Sequence, residues 1–265
     1  LIKGTPGKTI KPNNPTVNYS STPTLLIPGW VGNSWTYSKF ISQVQKQNIA
    51  QNALIVRVSP DCHVDVTGSL KNKKNPLIQV IYTWNYDTTF KPQVKELRAV
   101  LETLYDQYHV SRLNVIGHSY GGTEFIHVLF EDAHIRQSIQ LKKVILLVAP
   151  VEDSFGTRIH FRPHLFKKSQ DDNYKTLLKE SRHLKLSLAI TFYNWMGHKP
   201  GSTTTDGEVP TIQSLMLKTL LHHQKITYYQ KIFTNTTHVQ LHQKMPLSSK
   251  SFKYCGGKIT NGGAL

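Results

Sequence analysis

The chain has 265 residues, 38% of them apolar, with 32 Lys and Arg against 16 Asp and Glu and a formal charge of +16. That length and apolar share suit one large globular domain and exclude a disordered chain. No apolar run reaches the roughly 20 residues of a membrane span. The basic residues are scattered and form no nucleic-acid-binding motif, so the charge reads first as a solvated surface, with association with an anionic cell wall or membrane as the alternative.

Residues 1–23, rich in Pro, Lys, Thr and Asn, read as an extended lead-in. The chain begins at Leu1 rather than Met, which leaves open whether an upstream signal or anchor was removed. Residues 24–27 form a short apolar strand, which runs into the two-glycine loop Pro28-Gly29-Trp30-Val31-Gly32-Asn33. A helix is expected over about 35–47, with Phe40, Ile41 and Val44 inward. Strands follow at 54–58 and 77–84, with a shorter one near 64–66. Pro92 opens a long amphipathic helix whose stripe is Val94, Leu97, Leu101, Leu104, Tyr105 and Tyr108.

The apolar run Leu113 to Ile116 then ends in Gly117-His118-Ser119-Tyr120-Gly121, and helical spacing starts at once with Phe125, Ile126, Leu129 and Phe130. Strand, sharp turn and helix around Gly-x-Ser-x-Gly is the setting of a nucleophile elbow. The turn holds the serine hydroxyl clear of the sheet edge, and the two glycines leave room where a side chain would collide. The helix behind aims its positive end at the place where an oxyanion forms.

A further strand covers 143–148. Residues 151–185 break the alternation and read as a small cap insertion with a helix around 173–182. Its Phe155, Phe161, Leu165 and Phe166 suit either an apolar pocket or simple packing. Strands at 186–195 and 226–233 flank a helix near 212–222, and residues 246–265 read as a loosely ordered tail. Apolar strands separated by amphipathic helices imply a mainly parallel sheet covered on both faces, an α/β fold. In such sheets ligands bind beyond the carboxyl ends of the strands.

A serine hydroxyl needs a base, and the base an orienting carboxylate, in chain order Ser, Asp or Glu, His. Ser119, Asp206 and His238 fit that order, each just after an expected strand. Asp153 competes for the acid but suits shaping of the insertion, and Glu208 reads as solvated. His242 is the weaker choice of base; as a metal pair with His238 it lacks a third ligand. His118 points away from the hydroxyl, and His127, His222 and His223 read as surface residues. Oxyanion donors are expected from the backbone N–H groups of Tyr120 and Trp30, since Pro28 cannot donate. No metal or cofactor is implied. Cys62 and Cys255 sit in no metal-binding spacing, and two free thiols are expected.

These residues carry a resemblance. The chain is similar to the α/β-hydrolase superfamily and, more narrowly, to the candidate cell-surface hydrolases of Gram-positive bacteria grouped as DUF915. The likeness runs from about Thr24 to His242. It rests on Ile27-Pro28-Gly29-Trp30 with Gly32, Asn75-Pro76, Gly117-His118-Ser119-Tyr120-Gly121, Asp206-Gly207-Glu208-Val209-Pro210 and His238-Val239-Gln240-Leu241-His242. It implies His238 as base, Asp206 as acid, and an exported protein. Two positions depart from the pattern: Pro28 stands where the family has His before glycine, and Tyr120 where it often has Met. The bulkier Tyr120 narrows the acyl pocket.

The expected activity is serine-dependent cleavage of a small-molecule carboxylic ester. The alternatives are the same triad used as peptidase, thioesterase or acyltransferase, and a non-catalytic surface-binding protein on a hydrolase scaffold.

Overall fold

The computed structural model describes residues 4–186 and 190–243. The expected tail at 246–265, with Cys255, lies outside the described residues; Cys62 is a free thiol.

Eight strands form one sheet: β1 (Thr24–Ile27), β2 (Gln51–Val58), β3 (Val64–Gly68), β4 (Pro76–Tyr82), β5 (Arg112–His118), β6 (Gln140–Leu147), β7 (Thr191–Gly197) and β8 (Thr227–Phe233). Their order is β3-β2-β4-β1-β5-β6-β7-β8. Every pairing is parallel except the β2–β3 hairpin at the edge. The sequence explains this arrangement. β1 and β4 are buried at every residue, as strands covered on both faces must be. Alternate residues serve opposite faces: Leu25, Ile27, Val115, Val144 and Leu146 join one core, and Leu26, Ile116, Ile145 and Leu147 the other.

The larger core packs under α2 (Lys91–Tyr108), α3 (Tyr120–Glu131) and α5 (Asp172–Ser181). The smaller one packs under α1 (Ser38–Lys46), through Phe40, Ile41 and Val44. α4 (Ala133–Ser138) and α8 (His238–Gln243) are short helices that hydropathy spacing did not mark. The expected single helix at 212–222 is two, α6 (Thr211–Leu215) and α7 (Leu217–Leu221), meeting at Met216. The strand expected from 186 starts at Thr191. Residues 187–189 of that expectation lie outside the described residues.

The lead-in at 4–23 has no helix or strand but is anchored. Gly7 N–H donates to Asn52 O (2.7 Å), and Arg57 Nη2 donates to Gly4 O (3.0 Å). In the 151–185 insertion, Phe155 is buried, and Phe161, Leu165 and Phe166 pack half-buried against the larger core. Glu152 organises the segment, accepting from Phe155 N–H and from the hydroxyls of Ser154 and Ser169.

Candidate active site

β1 lies beside β5 at the centre of the sheet, with Ile27 opposite Gly117. The loops leaving both strands therefore meet at one edge. At the end of β5 the backbone turns through Ser119, which has φ 52° and ψ −128°. A positive φ on a non-glycine residue is strained and has to be held by its surroundings. Ser119 N–H donates to Leu147 O (2.9 Å), and Ser119 O accepts from Gly122 N–H (3.0 Å). Close approach explains the glycines. A Cβ on Gly117 would lie 2.6 Å from Gly122 Cα, and one on Gly121 only 2.4 Å from Pro28 O.

Asp206 occupies the turn between β7 and α6, which the Thr205–Pro210 bridge closes. Its side chain is almost fully buried. One carboxylate oxygen accepts from the N–H groups of Glu208 (3.0 Å) and Val209 (2.9 Å). The other lies 2.7 Å from His238 Nδ1. His238 opens α8, just beyond β8, and its own N–H donates to Asp206 O (3.2 Å). The first of these contacts orients the ring and the second holds its backbone, and the carboxylate places the proton on Nδ1. Nε2 is left facing the cleft, where Glu208 Oε2 stands 3.5 Å away.

Ser119 and His238 line one cleft of about 790 Å³, together with Trp30, Tyr120 and Val239. Among the described residues Ser119 Oγ makes no hydrogen bond to His238 Nε2. Bonds of this kind tighten when substrate is bound.

The two N–H groups expected as oxyanion donors lie at the starts of α3 and of the β1–α1 loop. Tyr120 is the first residue of α3, so its N–H has no acceptor within the helix. In the β1–α1 loop, Val31 N–H donates to Asn85 O and Gly32 N–H to Gly29 O, both at 2.9 Å. Trp30 N–H has no acceptor among the described residues. The loop is tied down by Asn85, whose side-chain amide donates to Gly29 O and Gly32 O at 2.9 Å each. Sequence reasoning missed Asn85. Its signal was a lone amide immediately after a buried strand, where one carbonyl-rich loop meets another.

The other histidines separate clearly. His118 is buried, and its Nε2–H donates to His238 O (3.2 Å), so it holds the backbone of His238. Burial, reinforced by the neighbouring His238 and His242, holds its ring well below the usual imidazole range. His242 donates from Nδ1 to Thr36 O (2.6 Å), and burial lowers its pKa to about 4. It thus anchors α8 and is turned to a backbone carbonyl, not to Ser119. His127, expected at the surface, is buried, with Nδ1 2.6 Å from Glu131 Oε1. Asp153 lines the cleft, and burial raises its carboxyl, with Asp171 and Glu152 adding to the rise. Glu208 is exposed as expected, but its approach to Nε2 was not legible from spacing. No group of three or more potential metal ligands occurs among the described residues.

This sheet order, with a strained serine after the central strand and a buried Asp–His pair beyond the last two strands, defines the α/β-hydrolase fold class. The sequence matches the family described as "Alpha/beta hydrolase of unknown function (DUF915)" over residues 11–261, and the chain belongs to that family. Two solved structures are similar. A gene product of Listeria innocua superposes with a TM-score of 0.75 at 22% identity, covering 91% of this chain and 96% of that one. A candidate cell surface hydrolase from Lactobacillus plantarum WCFS1 gives 0.70 at 20% identity, covering 88% and 91%. No curated protein matches the sequence.

Proposed function

We propose that the protein is a serine hydrolase that cleaves carboxylic esters through an acyl-enzyme. The observation that carries this reading is the buried Asp206–His238 pair at 2.7 Å, whose free Nε2 opens into the same cleft as Ser119. Ser119 Oγ attacks the acyl carbon as Nε2 takes its proton. The resulting imidazolium is stabilised by Asp206. The N–H groups of Tyr120 and Trp30 bind the oxyanion, and Nε2 then protonates the leaving alcohol. Water, deprotonated by the same nitrogen, hydrolyses the acyl-enzyme. The chemistry needs no metal or cofactor.

Ser119→Ala tests the assignment. The variant is expected to fold and to lose at least about a thousandfold of its activity on short p-nitrophenyl esters. Unchanged hydrolysis would remove Ser119 as nucleophile. The wild-type protein, run against ester, thioester and amide panels with Ser119→Ala as the control, decides between an esterase and a thioesterase or peptidase.

An exported, surface-associated protein fits this reading. The description of the Lactobacillus plantarum protein as a candidate cell surface hydrolase supports it. So does the charge of +16, which favours anionic wall polymers or headgroups. Among the described residues no helix is long and apolar enough to cross a membrane.

A further inference from the structure

The cleft inverts the charge of the molecule around it. The chain carries 32 Lys and Arg, yet among the described residues no Lys or Arg lines the cleft, while two carboxylates, Asp153 and Glu208, do. Neither carboxylate is ion-paired with Lys or Arg among the described residues. Glu208 Oε2 instead stands 3.5 Å from His238 Nε2. Its position matters because Nδ1 is committed to Asp206. Only Nε2 can return a proton to the departing alcohol, so the leaving oxygen must come within hydrogen-bond reach of that atom. The groups attached to that oxygen then lie against Glu208. Two exposed indoles, Trp30 (56%) and Trp35 (40%), line the same cleft and offer faces to a cation.

We propose that the site selects esters whose leaving alcohol carries a cationic nitrogen, with Glu208 as the specificity-determining anion. The proposal rests on the serine hydrolase reading above. The reaction balances as ordinary hydrolysis. The bond from acyl carbon to leaving oxygen breaks as the Ser119 ester forms. The Ser119 proton travels through Nε2 to the amino alcohol, and water then releases the acid and restores the serine. The charged nitrogen takes no part in bond making. It lowers the free energy of the bound state through its attraction to Glu208, an effect of up to about fivefold for one exposed carboxylate and weaker as salt rises.

The test compares two esters of one acid that differ only in charge, the choline ester and its neutral isostere, the 3,3-dimethylbutyl ester. The ratio of their kcat/KM values is measured for the wild type and for Glu208→Gln at low and high ionic strength. The expected result is a ratio of about three to five for the wild type, a fall toward one in Glu208→Gln, and a smaller ratio at high salt. A wild-type ratio at or below one overturns the proposal, as does a ratio that Glu208→Gln leaves unchanged. The second outcome would mean that Glu208 acts on His238 and not on the substrate. If neither ester is turned over and a fluorophosphonate also fails to label Ser119, the hydrolase reading falls, and this inference with it. Turnover of the neutral ester without preference sinks the inference alone.

Discussion

Asp206 shows how a single side chain is made to do one thing. Its first oxygen is used by two backbone N–H groups of its own turn, so the second has one orientation, toward His238 Nδ1. The imidazole is therefore held in the tautomer that leaves Nε2 able to accept a proton. Glu96 shows the opposite condition. It lies on α2, is 1% exposed, and neither carboxylate oxygen has a hydrogen-bond partner. Burial raises its pKa from 4.5 to about 7, with Asp87 and Asp61 adding to the rise. Because the folded state holds this proton more tightly than the unfolded chain, stability is lost as pH rises from about 4.5 to about 7, and stays lost above. Glu96→Gln removes the charge and keeps the shape. Its advantage over wild type in urea unfolding is expected to grow across that window to roughly 2 kcal/mol at pH 8. An advantage independent of pH would contradict the assignment. His242 runs the other way. Lowered to about 4, it contributes stability that is complete above about 6.5 and lost as pH falls toward 4.

At the scale of elements, the site is a meeting of loops that the sheet order brings together. β1, β4 and β5 are neighbours, so the segments after them touch. Asn85, beyond β4, grips the β1–α1 loop through Gly29 O and Gly32 O. Asn85→Ala takes from Gly32 O its one side-chain donor among the described residues, leaves Gly29 O with the Gly32 N–H alone, and loosens the loop that holds Trp30. A fall of about ten- to a hundredfold in kcat, with a smaller change in KM, is expected from misplacing an oxyanion donor. Steady-state kinetics on a p-nitrophenyl ester reads this, and an effect confined to KM would assign Asn85 to substrate binding instead.

Much of this was legible in the chain. β1 was marked to the residue, and the elbow was visible because Gly-His-Ser-Tyr-Gly follows an apolar run and precedes a helical one. Asp206 and His238 were reachable because each falls just past a strand. What the sequence hid depends on distant packing. No spacing reveals that Asn85 will meet Gly29, or that His127 will be buried beside Phe90, their ring centroids 4.8 Å apart. Glu208 looked like any solvated acid until α8 brought His238 against it.

At the scale of the whole molecule, a chain with a formal charge of +16 has a cleft whose Asp and Glu side chains have no Lys or Arg beside them among the described lining residues. On the readings proposed above, those opposite signs serve two roles, attachment outside and selection within. If the surface works by charge, retention on vesicles rich in anionic lipid is expected at 0.05 M salt and should be lost by about 0.5 M, as the Debye length shortens. Retention indifferent to salt would point to another mode of attachment. The central claim concerns the chemistry at the rim, and covalent labelling reads it most directly. The purified chain is treated with a fluorophosphonate and analysed by intact mass and peptide mapping, with Ser119→Ala and His238→Ala alongside. The account predicts one adduct, on Ser119, absent from the first variant and formed far more slowly in the second. An unlabelled wild type, or an adduct that persists in Ser119→Ala, contradicts it.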